Sequence, residues 1–311
     1  CAIATSGPGA TNMITGIAGA WFDSVPALYI TGQVTTFRMK GESAVRQFGF
    51  QETEILPMVK PITKYCVQIL NPLDIRMELE KALYLAREGR PGPVLVDIPD
   101  DLQRATIETD DLQGFEADEV ASPRTSIDPD DIARVVALMQ SARRPVLILG
   151  WGVRLAEACE AARDLAERTG FPVLTSWAAR DIMPAGHSGF AGTFGTHGTR
   201  AGNFAVQNAD LVISIGARLS TRETGSPLSS WAREAKTVIV DLDPAELAKF
   251  EQFGKPLDLA IAADAADFIE ALRTRANELA LPGIAEWTSR IAAWQSAYPV
   301  CSPDAQADAA I

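Results

Sequence analysis

The sequence CAIATSGPGATNMITGIAGAWFDSVPALYIT, residues 1–31, decides the fold. An apolar run typical of a β-strand, residues 1–5, ends at the turn sequence SGPG of residues 6–9. Apolar side chains then recur at helical spacing from 10 to 22, and a compact apolar strand follows at 27–31. A strand, a helix and a second strand in this order form a βαβ unit, so the pattern predicts a parallel sheet.

The same alternation of strands and helices continues along most of the 311 residues. Up to residue 105 it predicts a strand at 62–68, a helix at 72–88 and a buried strand at 93–98. It resumes at Asp128, which suits a helix N-cap because Pro129 follows at the first helical position. Further strands are predicted at 145–150, 171–175, 210–216 and 237–243, and further helices at 155–169, 199–207 and 264–280. We therefore predict an α/β protein with two Rossmann-like domains and mainly parallel sheets.

The predicted organisation has four parts. The first domain covers residues 1–105, and an acidic linker covers 106–127. The second domain covers 128–280, and the segment 281–311 leads out of it. In that last segment Ile284, Trp287, Ile291 and Trp294 share one helical face. Because no strand follows for this face to cover, we expect it to pack on a domain that is absent from the sequence.

Charge and composition exclude several classes of protein. The net charge of −12 argues against a general nucleic-acid binder, since clustered lysines and arginines grip a phosphate backbone. No apolar run approaches the roughly 18 residues of a membrane span, and no basic segment precedes an apolar one at the N-terminus. The four cysteines are widely spaced, which suggests neither a zinc site nor a disulfide framework. These features predict a cytoplasmic protein.

The turn SGPGATN, residues 6–12, is the first candidate for a binding site. Its two glycines allow a tight turn and a close approach of a ligand to the backbone. Open α/β sheets bind ligands at the carboxyl ends of their strands, where this turn lies. By itself the motif is also typical of a plain connector between strand and helix, so it does not decide between the two.

Five ordered blocks in the first domain resemble the pyrimidine-binding domain of thiamine-diphosphate enzymes of the acetolactate synthase group. These blocks are SGPGATN (6–12), DSVPALYITGQV (23–34), GFQE (49–52), VKPITKY (59–65) and GRPGPVLVDIP (89–99). Two blocks in the second domain resemble the central domain of that family, namely GTHGTRAGNFAVQNADLVISIGARLS (195–220) and VIVDLDPAEL (238–247). The resemblance covers about residues 1–270.

The resemblance implies a larger enzyme. Subunits of the family have three α/β domains, and thiamine diphosphate lies between domains of two subunits, so a homodimer or homotetramer is expected. The catalytic glutamate comes from a segment upstream of Cys1. The GDG motif that holds magnesium and the diphosphate is not found in residues 1–311. We therefore expect this sequence to be a fragment without activity of its own, with no metal ligand in it.

The resemblance also assigns residues to the thiamine site. Phe50 and Gln51 are placed near the reacting carbon as catalytic residues, where an apolar wall and an amide suit a 2-oxo acid. The alternative is that Phe50 belongs to the core and Gln51 caps a helix. Residues of the turn and of the strand end near the pyrimidine ring are Pro8, Gly9, Asn12 and Gln33.

In acetolactate synthases the central domain binds FAD in a role without redox chemistry. The matching positions are Gly195, His197, Gly198, Gly216, Arg218, Asp241 and Asp243. Glycines at strand ends admit a dinucleotide, an arginine pairs with phosphate, and an aspartate accepts ribose hydroxyls. Many relatives keep this domain as an empty scaffold, and His197 then reads as an ordinary hydrogen-bonded loop residue.

The sequence departs from the acetolactate synthase pattern at three places. Asp100 replaces the lysine that is expected after DIP, and residues 45–48 read VRQF where the family has GTDA. Arg218 is followed by Leu-Ser where the family has Phe-Asp. In these departures the sequence looks more like the related thiamine enzymes of bacterial surface-sugar pathways.

The function expected from the resemblance is that of a thiamine-diphosphate-dependent transferase of branched-chain amino acid biosynthesis. Such an enzyme decarboxylates a 2-oxo acid such as pyruvate and transfers the acyl carbanion to a carbonyl acceptor. One alternative is another thiamine-diphosphate decarboxylase or a carboligase of a surface-sugar pathway. The other alternative is a dinucleotide-binding module without catalysis.

Overall fold

A computed structural model describes residues 1–117, 126–184, 186–276 and 280–301. The chain divides into two compact units, Cys1–Pro123 and Arg124–Ile311, and each is described by itself. Part of the expected acidic linker, residues 118–125, lies outside the described residues, as do Ala185 and residues 277–279 of the expected second domain. Residues 302–311 of the expected last segment also lie outside them.

The first unit is built on a four-stranded sheet with the order β1-β2-β4-β3. Its strands are β1 (Ala2–Ala4), β2 (Ala27–Gln33), β3 (Tyr65–Gln68) and β4 (Pro93–Pro99). Its helices are α1 (Pro8–Thr11), α2 (Ile14–Phe22), α3 (Ile55–Val59), α4 (Ile75–Arg87) and α5 (Asp100–Gln103). All pairings in this sheet are parallel among the described residues.

Two apolar clusters cover the two faces of this sheet. On β4, Leu95 packs with Ile17 of α2 and Ile55 of α3. Its neighbours Val94 and Val96 pack on the other face, in the cluster that contains side chains of α4. The side chains of a strand alternate between the two faces, so a strand that is apolar at every position belongs in the centre of such a sheet.

The second unit is built on a six-stranded parallel sheet with the order β10-β9-β8-β5-β6-β7. Its strands are β5 (Pro145–Leu149), β6 (Val173–Thr175), β7 (Phe190–Thr193), β8 (Leu211–Ile215), β9 (Lys236–Asp241) and β10 (Leu259–Ala262). Its α-helices are α6 (Pro129–Ser141), α7 (Trp151–Leu155), α8 (Cys159–Thr169), α9 (Arg200–Asn208), α10 (Thr221–Thr224), α11 (Pro244–Gln252), α12 (Ala265–Ala276) and α13 (Ala285–Ala297).

Alternation along the central strand β5 again separates two cores. Leu147 and Leu149 face one cluster, whereas Val146 and Ile148 face the other. The parallel pairings and the helix layers confirm the predicted α/β class with two Rossmann-like sheets. The predicted cap of α6 is also confirmed, because the Asp128 side chain accepts a hydrogen bond from the Asp130 N–H.

Several elements differ from the sequence predictions. The helix expected over residues 10–22 is interrupted, since the Met13 N–H donates to Ala10 O, three residues back, at 3.1 Å. The segment between the strand expected at 171–175 and the helix expected at 199–207 contains β7, which pairs with β6 at the edge of the sheet. Strand β10 and helix α11 carried no prediction. Both β7 and β10 are edge strands of the second sheet, and each pairs with a single neighbour.

The segment after α12 also corrects an expectation. Trp287 and Ile291 of α13 are buried in the core of the second unit, and Trp294 packs against the same cluster. The Trp287 Nε1–H donates to Pro145 O at 2.9 Å, at the start of β5. The apolar face of this helix thus packs on its own sheet and not on an absent domain. The expectation was wrong because the sequence does not show which sheet surface is left uncovered.

Candidate functional site

The turn after β1 and the loop that contains Gln51 lie in direct contact. Gly7 has a φ of 66°, and a Cβ placed on it would lie 2.8 Å from Gln51 Cβ and 2.9 Å from Gln51 O. Both the left-handed backbone and the short distance require glycine at this position. The first and third sequence blocks therefore meet at the carboxyl end of β1.

Phe50 and Gln51 are exposed at this meeting point. Phe50 is 82% exposed, so the alternative that places it in the core is wrong. Gln51 caps no helix, because α3 begins at Ile55 with Glu54 as its N-cap residue. The backbone N–H of Gln51 donates to Gln47 Oε1 at 2.9 Å. Two side chains suited to contact a ligand thus remain open to solvent at the end of the loop.

Glu52 organises this loop from inside. Its Oε1 accepts the Lys40 N–H at 2.6 Å, and its Oε2 accepts the N–H groups of Phe48 at 2.8 Å and Gly49 at 3.3 Å. Desolvation acts to raise the pKa of Glu52, but these hydrogen bonds outweigh it and the pKa lies below its ordinary value. Glu52 was not among the expected site residues, although it belongs to the GFQE block.

The other residues expected on the turn lie in helix α1 or directly after it. Pro8 is the first residue of α1 and is exposed, and Asn12 follows the last residue of that helix and is also exposed. Gly9 is half-buried, and a Cβ placed on it would lie 2.9 Å from Thr5 Cγ2. Pro8 and Asn12, at the two ends of α1, are thus both open to solvent after strand β1.

Gln33 connects the sheet to the same loop. It is the last residue of β2 and is buried, and its Nε2–H donates to Thr53 O at 2.8 Å. Its Oε1 accepts the Val34 N–H at 2.9 Å. Gln33 Nε2 also donates to Asp97 Oδ2 at 3.4 Å. Gln33 therefore links the end of β2 to the loop through a buried side chain.

Asp97 lies at the centre of this polar network and is fully buried. Thr31 Oγ1 donates to its Oδ1 at 2.6 Å, and Gln68 Nε2 donates to its Oδ2 at 2.8 Å. Burial raises the pKa of Asp97, although the hydrogen bonds from Thr31, Gln68 and Gln33 oppose the change. Asp97 was not among the expected site residues, although a single carboxylate inside the apolar strand PVLVDIP could have indicated it.

The second unit has its own candidate site at the carboxyl edge of its sheet. The chain order reverses between β5 and β8, which is where open α/β sheets have a crevice. Gly216 follows β8 and touches the turn after β5, since the Gly152 N–H donates to Gly216 O at 2.9 Å. A Cβ on Gly150 would lie 2.2 Å from that same oxygen. The glycines here allow the two turns to pack on each other.

The loop after β7 holds three of the expected positions. The Gly195 N–H donates to Asn203 Oδ1 at 2.8 Å, and the Gly198 N–H donates to Gly195 O at 2.9 Å. The ring of His197 stacks on the ring of Trp177, with centroids 5.4 Å apart and planes 17° apart. Both rings are exposed and both follow carboxyl ends of strands. Trp177 was not among the expected site residues.

The remaining expected positions follow β8 and β9. Arg218 has a φ of 55°, and its carbonyl oxygen accepts a hydrogen bond from Lys249 Nζ. Asp241 Oδ1 accepts the Asp243 N–H at 3.0 Å, and Asp243 Oδ1 accepts the Ala245 N–H at 2.9 Å. Asp243 is thus the N-cap of α11, which is a structural role independent of any ligand.

Two further properties concern metals and membranes. In the described ranges, no group of three or more histidine, cysteine, aspartate or glutamate side chains is arranged to hold a metal ion. Within those same ranges no helix has the length and apolar character needed to cross a membrane.

Comparisons with known proteins match both units. Residues 1–58 match the family described as thiamine pyrophosphate enzyme, N-terminal TPP binding domain, and residues 132–272 match thiamine pyrophosphate enzyme, central domain. The chain is 39% identical over 304 residues to the acetolactate synthase large subunit of Corynebacterium glutamicum, which covers 96% of this chain and 46% of that protein.

Similar values hold for other relatives. The acetolactate synthase of Mycobacterium leprae is 38% identical over 96% of this chain and 46% of its own length. A probable acetolactate synthase large subunit of Methanocaldococcus jannaschii is 37% identical over 93% of this chain and 47% of its own length. The chain spans about half the length of the curated relatives that it matches.

Proposed function

This chain belongs to the thiamine pyrophosphate enzymes, and on that basis we propose that it forms part of an acetolactate synthase. The observation that carries the proposal is the contact between the turn at Gly7 and the loop at Gln51, in a chain similar to acetolactate synthases along 96% of its length. The proposed reaction decarboxylates pyruvate and transfers the two-carbon unit to a second 2-oxo acid.

Thiamine diphosphate supplies the electron sink for this reaction when it is bound. The residues present fit its flat aminopyrimidine ring, because Pro8 and Asn12 are exposed on the turn that touches Gln51. In the proposal the Gln51 amide holds a polar atom of the 2-oxo acid, and Phe50 forms an apolar wall that excludes water. Glu52 keeps both side chains in place through its three backbone hydrogen bonds.

The proposal extends to magnesium and to assembly. Magnesium is assigned to the GDG motif, which does not occur in this sequence, so its ligands belong to another part of the enzyme. A homodimer or homotetramer is part of the same proposal, with the thiamine site shared between subunits.

A chimaeric enzyme tests the proposed reaction. In the Corynebacterium glutamicum large subunit, the segment that matches this chain is replaced by the matching segment of this chain, and acetolactate formation from pyruvate is measured. We expect activity that requires thiamine diphosphate and magnesium. A chimaera that assembles like the unmodified enzyme and binds thiamine diphosphate but forms no acetolactate would contradict the proposal.

Gln51→Ala in the chimaera tests the role of the amide. We expect the rate to fall at least about tenfold, because a donor positioned at the reacting atoms is lost. Gln113→Ala is the matched control, since Gln113 is an exposed glutamine outside the site. Equal rates for both variants would remove Gln51 from the catalytic residues.

For the second unit we propose FAD at the carboxyl edge of the sheet. The chemistry of the groups there fits a dinucleotide, because the exposed pair of Trp177 and His197 offers flat rings and Gly216 lies at the switch point. The 311-residue chain is titrated with FAD, and bound flavin is followed by its absorbance after gel filtration. We expect Trp177→Ala to weaken binding, whereas Trp21→Ala in the first unit does not. A chain that retains no flavin contradicts this part of the proposal.

A further inference from the structure

A cleft lies at the opposite edge of the second sheet from the expected FAD site. It has a volume of about 510 Å³. Arg144 immediately precedes β5, Asn208 ends α9 just before β8, and Glu234 lies just before β9, so the loops that enter three adjacent strands contribute to it. Helix α13 forms another wall through Trp287, Arg290 and Trp294, which the thiamine and flavin sites do not use.

The charge of this cleft is opposite to that of the chain. Four arginines and two glutamates line it, which leaves an excess of two positive charges in a protein of net charge −12. The arginines are Arg143, Arg144, Arg233 and Arg290, and the glutamates are Glu234 and Glu286. Such a concentration of positive charge on an acidic protein attracts anions specifically to this place.

Three of the arginines have no partner among the residues that the structure describes. Arg144 Nε donates to Asn208 O at 2.7 Å, but the guanidinium groups of Arg143, Arg233 and Arg290 make no hydrogen bond or ion pair with any described residue. Elsewhere in the unit Arg154 and Arg273 form ion pairs with aspartates. The cleft therefore brings together three guanidinium groups that are available to pair with an external anion.

The backbone of the cleft is held independently of those guanidinium groups. The N–H groups of Arg143 and Arg144 donate to the two oxygens of Asp210 at 2.9 and 2.8 Å. Trp287 is anchored by its hydrogen bond to Pro145 O, and its ring meets Trp294 edge to face at 5.8 Å. Trp294 is half-buried and offers a partly open ring beside Arg290.

We propose that this cleft binds a small phosphorylated anion of nucleotide size. Guanidinium groups match phosphoryl oxygens in a bidentate manner, and two or more phosphoryl groups suit several arginines at once. The volume lies within the range of small-ligand sites. The ring of Trp294 supplies a surface for a planar part of the ligand. This site is separate from the proposed thiamine and flavin sites, and its existence does not depend on the proposed reaction.

Calorimetric titration of the 311-residue chain with pyrophosphate and with ADP tests the proposal. We expect saturable binding with a dissociation constant below about 1 mM at low salt, which weakens as salt rises. The double substitution Arg143→Gln with Arg290→Gln should raise that constant at least about tenfold, since two charged hydrogen-bond donors are lost. Tighter binding of ADP than of pyrophosphate would assign part of the affinity to the planar ring.

Two control variants locate the ligand. Arg275→Gln removes an exposed arginine of α12 outside the cleft, and Arg222→Gln removes one at the carboxyl edge. Both should bind like the unmodified chain. The proposal is overturned if binding does not saturate, or if the cleft variant and the controls have equal dissociation constants. It is also overturned if only Arg222→Gln loses binding. Far-ultraviolet circular dichroism verifies that the cleft variant is folded.

Discussion

At the scale of single residues, Gly7 shows how a turn and a loop that are distant in sequence come into contact. Its backbone is left-handed, and its missing Cβ leaves room for Gln51. Both conditions favour glycine, so a substitution there tests both at once.

Gly7→Ala is expected to lower the free energy of unfolding by about 1 to 3 kcal/mol and to displace Gln51. Gly41→Ala is the matched control, because Gly41 also has a positive φ, of 52°, but no atom lies within 4 Å of its Cβ position. Urea unfolding of the two variants separates the cost of backbone strain from the cost of the clash. Equal losses would show that the contact with Gln51 is unimportant for stability.

Asp97 is the second residue whose surroundings allow a prediction, in this case about pH. Burial raises the pKa of Asp97 in the folded state above the unfolded value of 3.8. The folded protein therefore holds this proton more tightly, so the contribution of Asp97 to stability is largest below pH 3.8 and is lost as pH rises through the folded pKa. Relative to Asp97→Asn, the unmodified chain should become more stable as pH falls from 7 toward 4.

Asp101 provides a control, because its contribution to stability is expected to change with pH in the opposite direction. The hydrogen bond from the Thr36 hydroxyl lowers the pKa of Asp101, so its contribution is present above pH 3.8 and is lost as pH falls through the lower folded pKa. Urea unfolding at several pH values compares each asparagine variant with the unmodified chain. The same sign of change for both variants would contradict the prediction.

At the scale of elements, α13 shows that an amphipathic helix at the end of a predicted domain belongs to that domain. Trp287→Phe keeps most of the buried ring area but leaves Pro145 O without its donor at the start of β5. We expect a loss of about 1–3 kcal/mol in the free energy of unfolding. Trp294→Phe is the control, because no hydrogen bond from its ring N–H exists in the described part of the chain, and it should lose less.

At the scale of the whole molecule, each of the two units has its own sheet and its own apolar clusters. A unit that buries a complete core is expected to fold without its neighbour. Residues 124–311 expressed alone should therefore unfold in urea in a single cooperative transition, followed by tryptophan fluorescence. A gradual loss of signal, or an aggregated product, would show that the second unit depends on the first.

Much of this protein could be predicted from local pattern. The alternation of strands and helices that begins at Cys1 predicted parallel sheets, because a helix that connects two parallel strands covers one face of the sheet. Strands that are apolar at every position agree with this prediction, since both of their faces must be covered. The cap at Asp128 was predictable since its partner lies two residues away. Strands β7 and β10 were missed. They are the two edge strands of the second sheet, and their pairing with β6 and β9 is a tertiary contact that their own residues do not record.

The candidate sites likewise combine features that the sequence predicts with features that only the structure shows. The sequence alone determined that glycines and amides lie at strand ends, since strand boundaries and turn residues are properties of a few consecutive positions. Only the tertiary structure decided that Gly7 touches Gln51 and that Asp97 is buried among hydrogen-bond donors. It also decided that one cleft holds three arginines without a partner among the described residues. These facts depend on distances between segments that are far apart in the chain, and packing of the whole sheet sets those distances.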